Sequence, residues 1–142
     1  MADKYRKLGT TSHQMQYVCA PSENIPFDDE HFDFVTCFNA LDHVDDISRT
    51  LSEVARVIKK KGTFLLITEI NHPPTLTEPH SISEKLLDQL SSDYFVSSIR
   101  MCQIRHDHDV YGSLWDNVPY SVGPNAGSGI LAARMTRKPA VL

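Results

Sequence analysis

The apolar positions of this chain switch between two spacings, with proline- and glycine-bearing breaks between them. Phe32 to Asn39 (FDFVTCFN) gathers β-branched and aromatic residues in a short run, which predicts a buried strand. Ile47, Leu51, Val54, Ala55 and Ile58 then recur at helical spacing and form one apolar face. Asp45 or Asp46 stands where a carboxylate can accept the free backbone N–H groups of a helix start. Lys59, Lys60 and Lys61 suit the negative end of the helix dipole, and Gly62 suits a left-handed stop. Thr63 to Ile70 (TFLLITEI) is almost wholly apolar, which predicts a strand covered on both faces. Strand, helix and strand with short joints make a crossover unit, so the two strands are expected to be parallel and joined right-handed.

The pattern is weaker on both sides of this unit. Residues 1–14 read as a loose leader, and Met15 to Ala20 (MQYVCA) as a short strand. Pro21 to Glu30 is an acidic, turn-rich loop, and Asn71 to Pro79 is an irregular loop with three prolines. Ser81-Ile-Ser-Glu84 fits a capping box ahead of a short helix on Ile82, Leu86, Leu87 and Leu90. Phe95 to Arg105 mixes polar and apolar residues, as an edge strand does, and His106 to Asn125 reads as polar turns. Gly127-Ser128-Gly129 reads as a hairpin turn into a last strand, Ile130 to Met135. With no helix between them, the last two strands should pair antiparallel.

Composition narrows the functional classes. The chain has 142 residues, 41% hydrophobic and 23% charged, within the range of one globular domain. A net charge of −4 lacks the basic face that a nucleic-acid backbone requires. No apolar run approaches the roughly 20 residues of a membrane span. The polar N-terminus, without an apolar signal core, makes the cytoplasm the default location. Cys19, Cys37 and Cys102 are far apart and odd in number, so they read as reduced, buried thiols rather than as a disulfide or zinc framework.

Three segments together resemble one family. Asn24-Ile-Pro-Phe-Asp-Asp-Glu-His-Phe-Asp33 is similar to the loop that opens the fourth strand of class I S-adenosylmethionine-dependent methyltransferases, in the type 11-like group that acts on small molecules. Phe38-Asn-Ala-Leu-Asp-His43 resembles the segment after that strand. Leu51 to Gly62 resembles the following helix and its basic, glycine-bearing end. The resemblance runs from about Gln16 to Lys138. It implies an α/β fold: a partial Rossmann-like methyltransferase sheet of parallel strands with a C-terminal antiparallel strand pair. The glycine-rich cofactor turn and the acidic ribose ligand of the family have no counterpart upstream of Gln16, and Pro21 stands near where the family often has an adenine-binding Asp. Residues 15–142 are therefore expected to be the C-terminal part of the domain. The family's first strand lies beside the fourth, so Phe32–Asn39 is expected to be a bare apolar edge that invites self-association or a complementing chain.

The resemblance also places the candidate site. Ligands of open α/β sheets bind outside the carboxyl ends of the strands. Ser22, Glu23, Asn24 and Ile25 would then flank the adenine of S-adenosylmethionine, and Asn39, Ala40 and Leu41 its methionine arm. Asp42, Glu69 and His72 would face a small-molecule methyl acceptor. His43 would take the acceptor's proton, because an imidazole titrates near neutrality. Each residue also has a structural reading. Asp42, Asp45 and Asp46 can be caps, His43 a first-turn hydrogen-bond partner, and Glu69 a lysine partner. His72 and His80 flank a loop that can lid the pocket. His106 and His108 share one strand face, but spacing fixes no third ligand, so no metal site is assigned. Tyr111 and Trp115 read as anchors that pin a loop to the sheet. The leading function is methyl transfer to a small molecule, impaired in this chain by the missing cofactor-binding half. A non-catalytic interaction module derived from a methyltransferase and a different α/β enzyme using His43 and Glu69 are the alternatives.

Overall fold

The computed structural model describes residues 16–105, 108–123 and 126–139. It contains a four-stranded sheet of β1 (Phe32–Phe38), β2 (Ile58–Ile70), β3 (Tyr94–Gln103) and β4 (Gly129–Arg137), in the spatial order β1-β2-β4-β3. β1 and β2 run parallel, with Val35 opposite Phe64 and Phe38 opposite Ile67. β4 pairs antiparallel with β2 on one side and with β3 on the other. Among the described residues β3 is an edge, as its mixed composition implies, and β1 is the other edge.

The helix between the parallel strands, α1 (Ile47–Val57), begins at Asp46, whose Oδ1 accepts the N–H of Arg49 at 2.9 Å. Its buried face is Leu51, Val54 and Ala55, as the spacing predicts. Its end differs from the expectation. The helix stops at Val57, and Ile58 is already extended in β2, because these adjacent β-branched side chains are both buried there. Lys59–Lys61 therefore form no helix end. The register slips from Phe32–Ile58 to Phe34–Thr63, and the extra residues are absorbed in a bulge. Lys61 takes the left-handed conformation (φ 64°) expected of Gly62. Gly62 is needed for a different reason: a Cβ there would lie 2.8 Å from the carbonyl oxygen of Lys59. Lys59 and Lys60 reach Asp33 and Glu30 across the bulge.

The core lies on one face of the sheet. Phe64, Leu66, Leu131, Ala133 and Met135 pack there against α1 and the short α2 (Leu86–Leu90). On the opposite face Leu65 and Ile67 are half-buried, while Phe34 and Phe38 are 53% and 42% exposed. β2 is thus covered on one face and only partly on the other, against the expectation from its uninterrupted apolar sequence. The apolar run was matched instead to an open groove lined by Phe38, Leu65, Ile67 and Ala132.

Other expectations need correction. Gln16–Ala20 is not a strand; five exposed residues with no sheet neighbour cannot fill a ladder. The capping box at Ser81–Glu84 does not form: α2 starts after Lys85 without a side-chain cap, and Glu84 faces Asn71 instead. The polar stretch after β3 contains a helix, α3 (Val110–Asp116), capped by Asp109, whose Oδ1 accepts the N–H of Gly112 at 3.1 Å. On α3 Tyr111 and Trp115 are 61% and 89% exposed and do not anchor the loop; Val110 and Ser113 are the buried positions. Cys19 is exposed and Cys37 half-buried, so of the three free thiols only Cys102 is buried. No described helix is long and apolar enough to cross a membrane.

Candidate functional site

β1 and β2 end alike. Asn39 and Asn71 follow them directly, both in the left-handed region (φ 47° and 56°), which asparagine tolerates better than most residues. The N–H of Asn39 still donates to Ile67 O at 2.7 Å, and that of Asn71 to Ile82 O at 2.7 Å, so each turn is pinned as it leaves the sheet. After Asn39 the chain makes a single 3-10 turn, Leu41–His43, and after Asn71 it enters the proline loop. The two exits bring Asp42, His43, Glu69 and His72 to one end of the parallel pair. Glu78, from the proline loop, and His108, from the segment before α3, join them.

The group is tightly spaced. His43 Nδ1 lies 2.9 Å from the carbonyl oxygen of Thr77. A carbonyl only accepts, so Nδ1 carries the proton and the neutral ring presents Nε2 as an acceptor. Nε2 lies 4.0 Å from Asp42 Oδ1 and 3.9 Å from Glu78 Oε1. His108 Nδ1 is 3.2 Å from Glu69 Oε1 and 3.7 Å from Glu78 Oε1, and His72 Nδ1 is 3.8 Å from Glu78 Oε2. The rings of His72 and His108 face each other at 5.0 Å. Glu69 and Asp42 are 3% and 6% exposed. Asp42 Oδ1, Glu69 Oε2 and Asn39 Oδ1 are buried with no hydrogen-bond partner among the described residues. Such orphans are uncommon in native interiors.

The other half of the expected site is already engaged. Glu23 Oε1 accepts the N–H groups of Asp45 and Asp46 at 2.9 and 3.0 Å, and those donors hold its carboxyl below the ordinary glutamate value. Ser22 Oγ contacts Thr50 Oγ1 at 3.0 Å and Glu23 Oε2 at 3.2 Å. The N–H of Ile25 donates to Glu53 Oε2 at 2.8 Å, and the carbonyl of Ile25 accepts from Arg56 at 2.9 Å. This loop is a brace on α1, so what it can offer a ligand is chiefly the exposed Asn24 and its backbone. Leu41 is 1% exposed in the core, which leaves its backbone for a ligand, while Ala40 is exposed. His80 Nε2 donates to Val44 O at 2.8 Å and ties the proline loop down. Cys37 is no nucleophile: burial and the nearby Asp42 carboxylate push its thiol up to about 11.

Glu78 escaped sequence reasoning, since Thr-Glu-Pro in a loop carries no periodic signal. What fixes it is local: Thr75 Oγ1 accepts its N–H at 3.1 Å in a tight turn. His106, read with His108 on one strand face, lies outside the described residues; the fold sets His108 against Glu69.

Comparison with known proteins agrees with this geometry. A family model described as a methyltransferase domain matches residues 1–66. YcgJ of Bacillus subtilis, an uncharacterised methyltransferase, is 34% identical over 79 residues, 48% of this chain and 31% of its own. Its crystal structure superposes with a TM-score of 0.66 at 17% identity, over 98% of this chain and 77% of that one. A ubiquinone/menaquinone biosynthesis C-methyltransferase of Shewanella piezotolerans is 32% identical over 116 residues, 82% of this chain and 43% of its own. A geranyl diphosphate methyltransferase solved in complex with S-adenosylmethionine shares the fold, with a TM-score of 0.67 at 13% identity over 95% of this chain and 62% of that one. The chain spans less than half the length of these curated relatives.

Proposed function

We propose that this chain, which belongs to the class I S-adenosylmethionine-dependent methyltransferases, supplies the acceptor side of a site that methylates a small molecule. The observation that carries the reading is the meeting of an oriented imidazole, His43, with the unpartnered Asn39 and Asp42 oxygens at the carboxyl end of a parallel strand pair. Ligands of open α/β sheets bind at that end.

Bound S-adenosylmethionine supplies a methyl group on an electron-poor sulfonium. Asn39 Oδ1 fits the ammonium or an amide-like donor of its methionine arm, beside the backbone of Ala40 and Leu41. The Ser22–Ile25 loop flanks the adenine through Asn24 and backbone groups. Asp42, Glu69 and His72 orient the acceptor. His43 Nε2 accepts the proton of an acceptor hydroxyl or amine, with Asp42 and Glu78 standing by as counter-charges. The rest of the rate comes from in-line proximity in a closed pocket.

The same reading holds that residues 15–142 form the acceptor-side part of the domain and that these 142 residues alone bind the cofactor weakly. The support is that β1 is an edge strand among the described residues, with Phe34 and Phe38 exposed on the open face of the sheet. That edge also favours a second reading, in which a complementing chain or another copy adds a strand to β1.

The test is a two-dimensional amide NMR titration with S-adenosylhomocysteine. Shifts confined to Asn24–Ile25 and Asn39–His43, with a dissociation constant in the millimolar range (about −4 kcal/mol), are expected. Shifts centred elsewhere, or none, sink the assignment of the site. Micromolar affinity overturns the claim of impairment.

A further inference from the structure

We propose that Glu69, His72 and His108 form a site for one divalent transition-metal ion, beside His43 and facing the acceptor pocket. One ligand atom from each of these three lies within 4.8 Å of the others. Two imidazoles and a carboxylate make up a three-ligand set typical of catalytic zinc, which keeps a fourth position open.

The charge balance points the same way. Asp42, Glu69 and Glu78 put three carboxylates in one cluster, and among the described residues their only ion-pair partners are histidines. Two of the three are almost fully buried, and each of these holds an oxygen with no partner. Buried carboxylates without a cation are costly.

Hydrogen bonding alone does not account for the spacing. The pair His108–Glu69, at 3.2 Å, is within hydrogen-bond range, but His108–Glu78, His72–Glu78 and His43–Glu78 stand at 3.7 to 3.9 Å. These groups face one another across gaps too wide for a direct bond. Ligand atoms on one ion, with bonds of about 2.0–2.2 Å, sit about 3.3 Å apart in a tetrahedron and up to about 4.3 Å apart across an octahedron. Within the proposed set His108 and Glu69 stand 3.2 Å apart, already near the tetrahedral separation, and one ligand atom of each of the three lies within 4.8 Å of the others. The mixed nitrogen and oxygen donor set favours zinc, manganese or iron over calcium or magnesium.

The role of the ion rests on the methyl-transfer reading: its open position would receive an oxygen of the acceptor, next to His43 Nε2. The ion itself does not depend on that reading, so the experiment is run without cofactor or acceptor. The untagged, chelator-stripped chain is titrated with Zn²⁺ by calorimetry and with Co²⁺ by visible absorption. One equivalent of Zn²⁺ is expected, with the intense d–d bands of low-coordinate Co²⁺. Glu69→Gln preserves the shape and the His108 hydrogen bond, and His72→Ala trims a loop residue; each should weaken binding at least about tenfold. Circular dichroism establishes that both variants are folded. If they are not, the wild-type Co²⁺ spectrum decides: only the weak bands of hydrated cobalt would overturn the site. Absence of Zn²⁺ binding, or binding unchanged by both substitutions in folded protein, also overturns it and leaves the cluster a hydrogen-bond network.

Discussion

Two polar regions flank α1, and only one of them is complete. Where the loop before β1 meets the helix, Arg56 donates to Glu53 at 2.7 Å, to Asp29 at 2.8 Å and to the carbonyls of Phe27 and Ile25 at 2.8 and 2.9 Å, while Glu23 takes up two helix-start N–H groups. At the carboxyl ends of β1 and β2, three side-chain oxygens from Asn39, Asp42 and Glu69 are buried and unpartnered. Each such orphan costs about 1–3 kcal/mol, and a fold seldom keeps three together without a use for them. The difference separates architecture from function within one crossover unit. Completed polar groups hold the loop to the helix, and the incomplete ones are those that the proposed function assigns to ligands. The cofactor loop expected at Ser22–Ile25 belongs mostly to the first kind.

The strongest way to break this comparison is to remove His43, the base of the proposed reaction. In an enzyme assembled with its cofactor-binding half, His43→Ala should lower kcat about 10²–10³-fold with little change in the affinity for S-adenosylmethionine. An unchanged kcat would show that the acceptor needs no proton removed and that His43 only holds Thr77. In the brace region Arg56→Ala should instead leave kcat intact and lower the thermal midpoint.

How much of this was legible in the sequence depends on periodicity. α1, β1, β2 and the closing antiparallel pair are present as read because each is a run long enough for spacing to register, but the burial expected of the two parallel strands is not: no residue of β1 is buried, and β2 is covered on one face only. The helix end was misplaced because three lysines and a glycine look like a C-terminus, whereas Val57 and Ile58 had already committed the backbone to a strand. α3 was missed because its buried face is only Val110 and Ser113, too short to show a period. In the site, Asn39, Asp42, His43, Glu69 and His72 were all placed near one another by the rule that strands end at a cleft. Glu78 and His108 come from loops, and only tertiary structure sets their distance to Glu69. Sequence could not show that Ser22 and Glu23 are occupied, because their partners Thr50, Asp45 and Asp46 lie across a strand from them.

Acid sharpens the comparison from the brace side. The Arg56 guanidinium holds the Glu53 carboxyl down at about 2, against an ordinary value of 4.5. A carboxyl depressed in the folded state contributes stability above its unfolded value and loses it as pH falls through the folded one. The brace contribution should therefore be intact above about pH 4.5 and decline between there and about pH 2. Arg56 is 31% exposed, so solvent screens the pair and the loss is only a fraction of what the full shift implies. Chemical denaturation across this range checks it, with Glu53→Gln expected to be less stable at neutral pH and flatter in acid. Equal slopes for the two proteins would mean that Glu53 is no more strongly held than a surface carboxylate.

The smallest effect has the opposite sign, which makes it the most discriminating. If Glu69 is kept for a ligand, an apolar replacement should stabilise the ligand-free chain. Glu69→Met removes a buried oxygen that has no partner, at the cost of one contact to His108, whose side chain is 43% exposed and can turn to water. A gain of about 1 kcal/mol, or about 3 °C in Tm, is expected in the presence of chelator. Adding Zn²⁺ should reverse the order, because an ion bound only by the folded wild type stabilises it in proportion to the logarithm of its concentration over Kd. Trading stability for a site is common where function needs an unsatisfied group. If Glu69→Met is less stable with chelator, the carboxylate serves the fold, and the line drawn between the two regions must move to put Glu69 with Arg56.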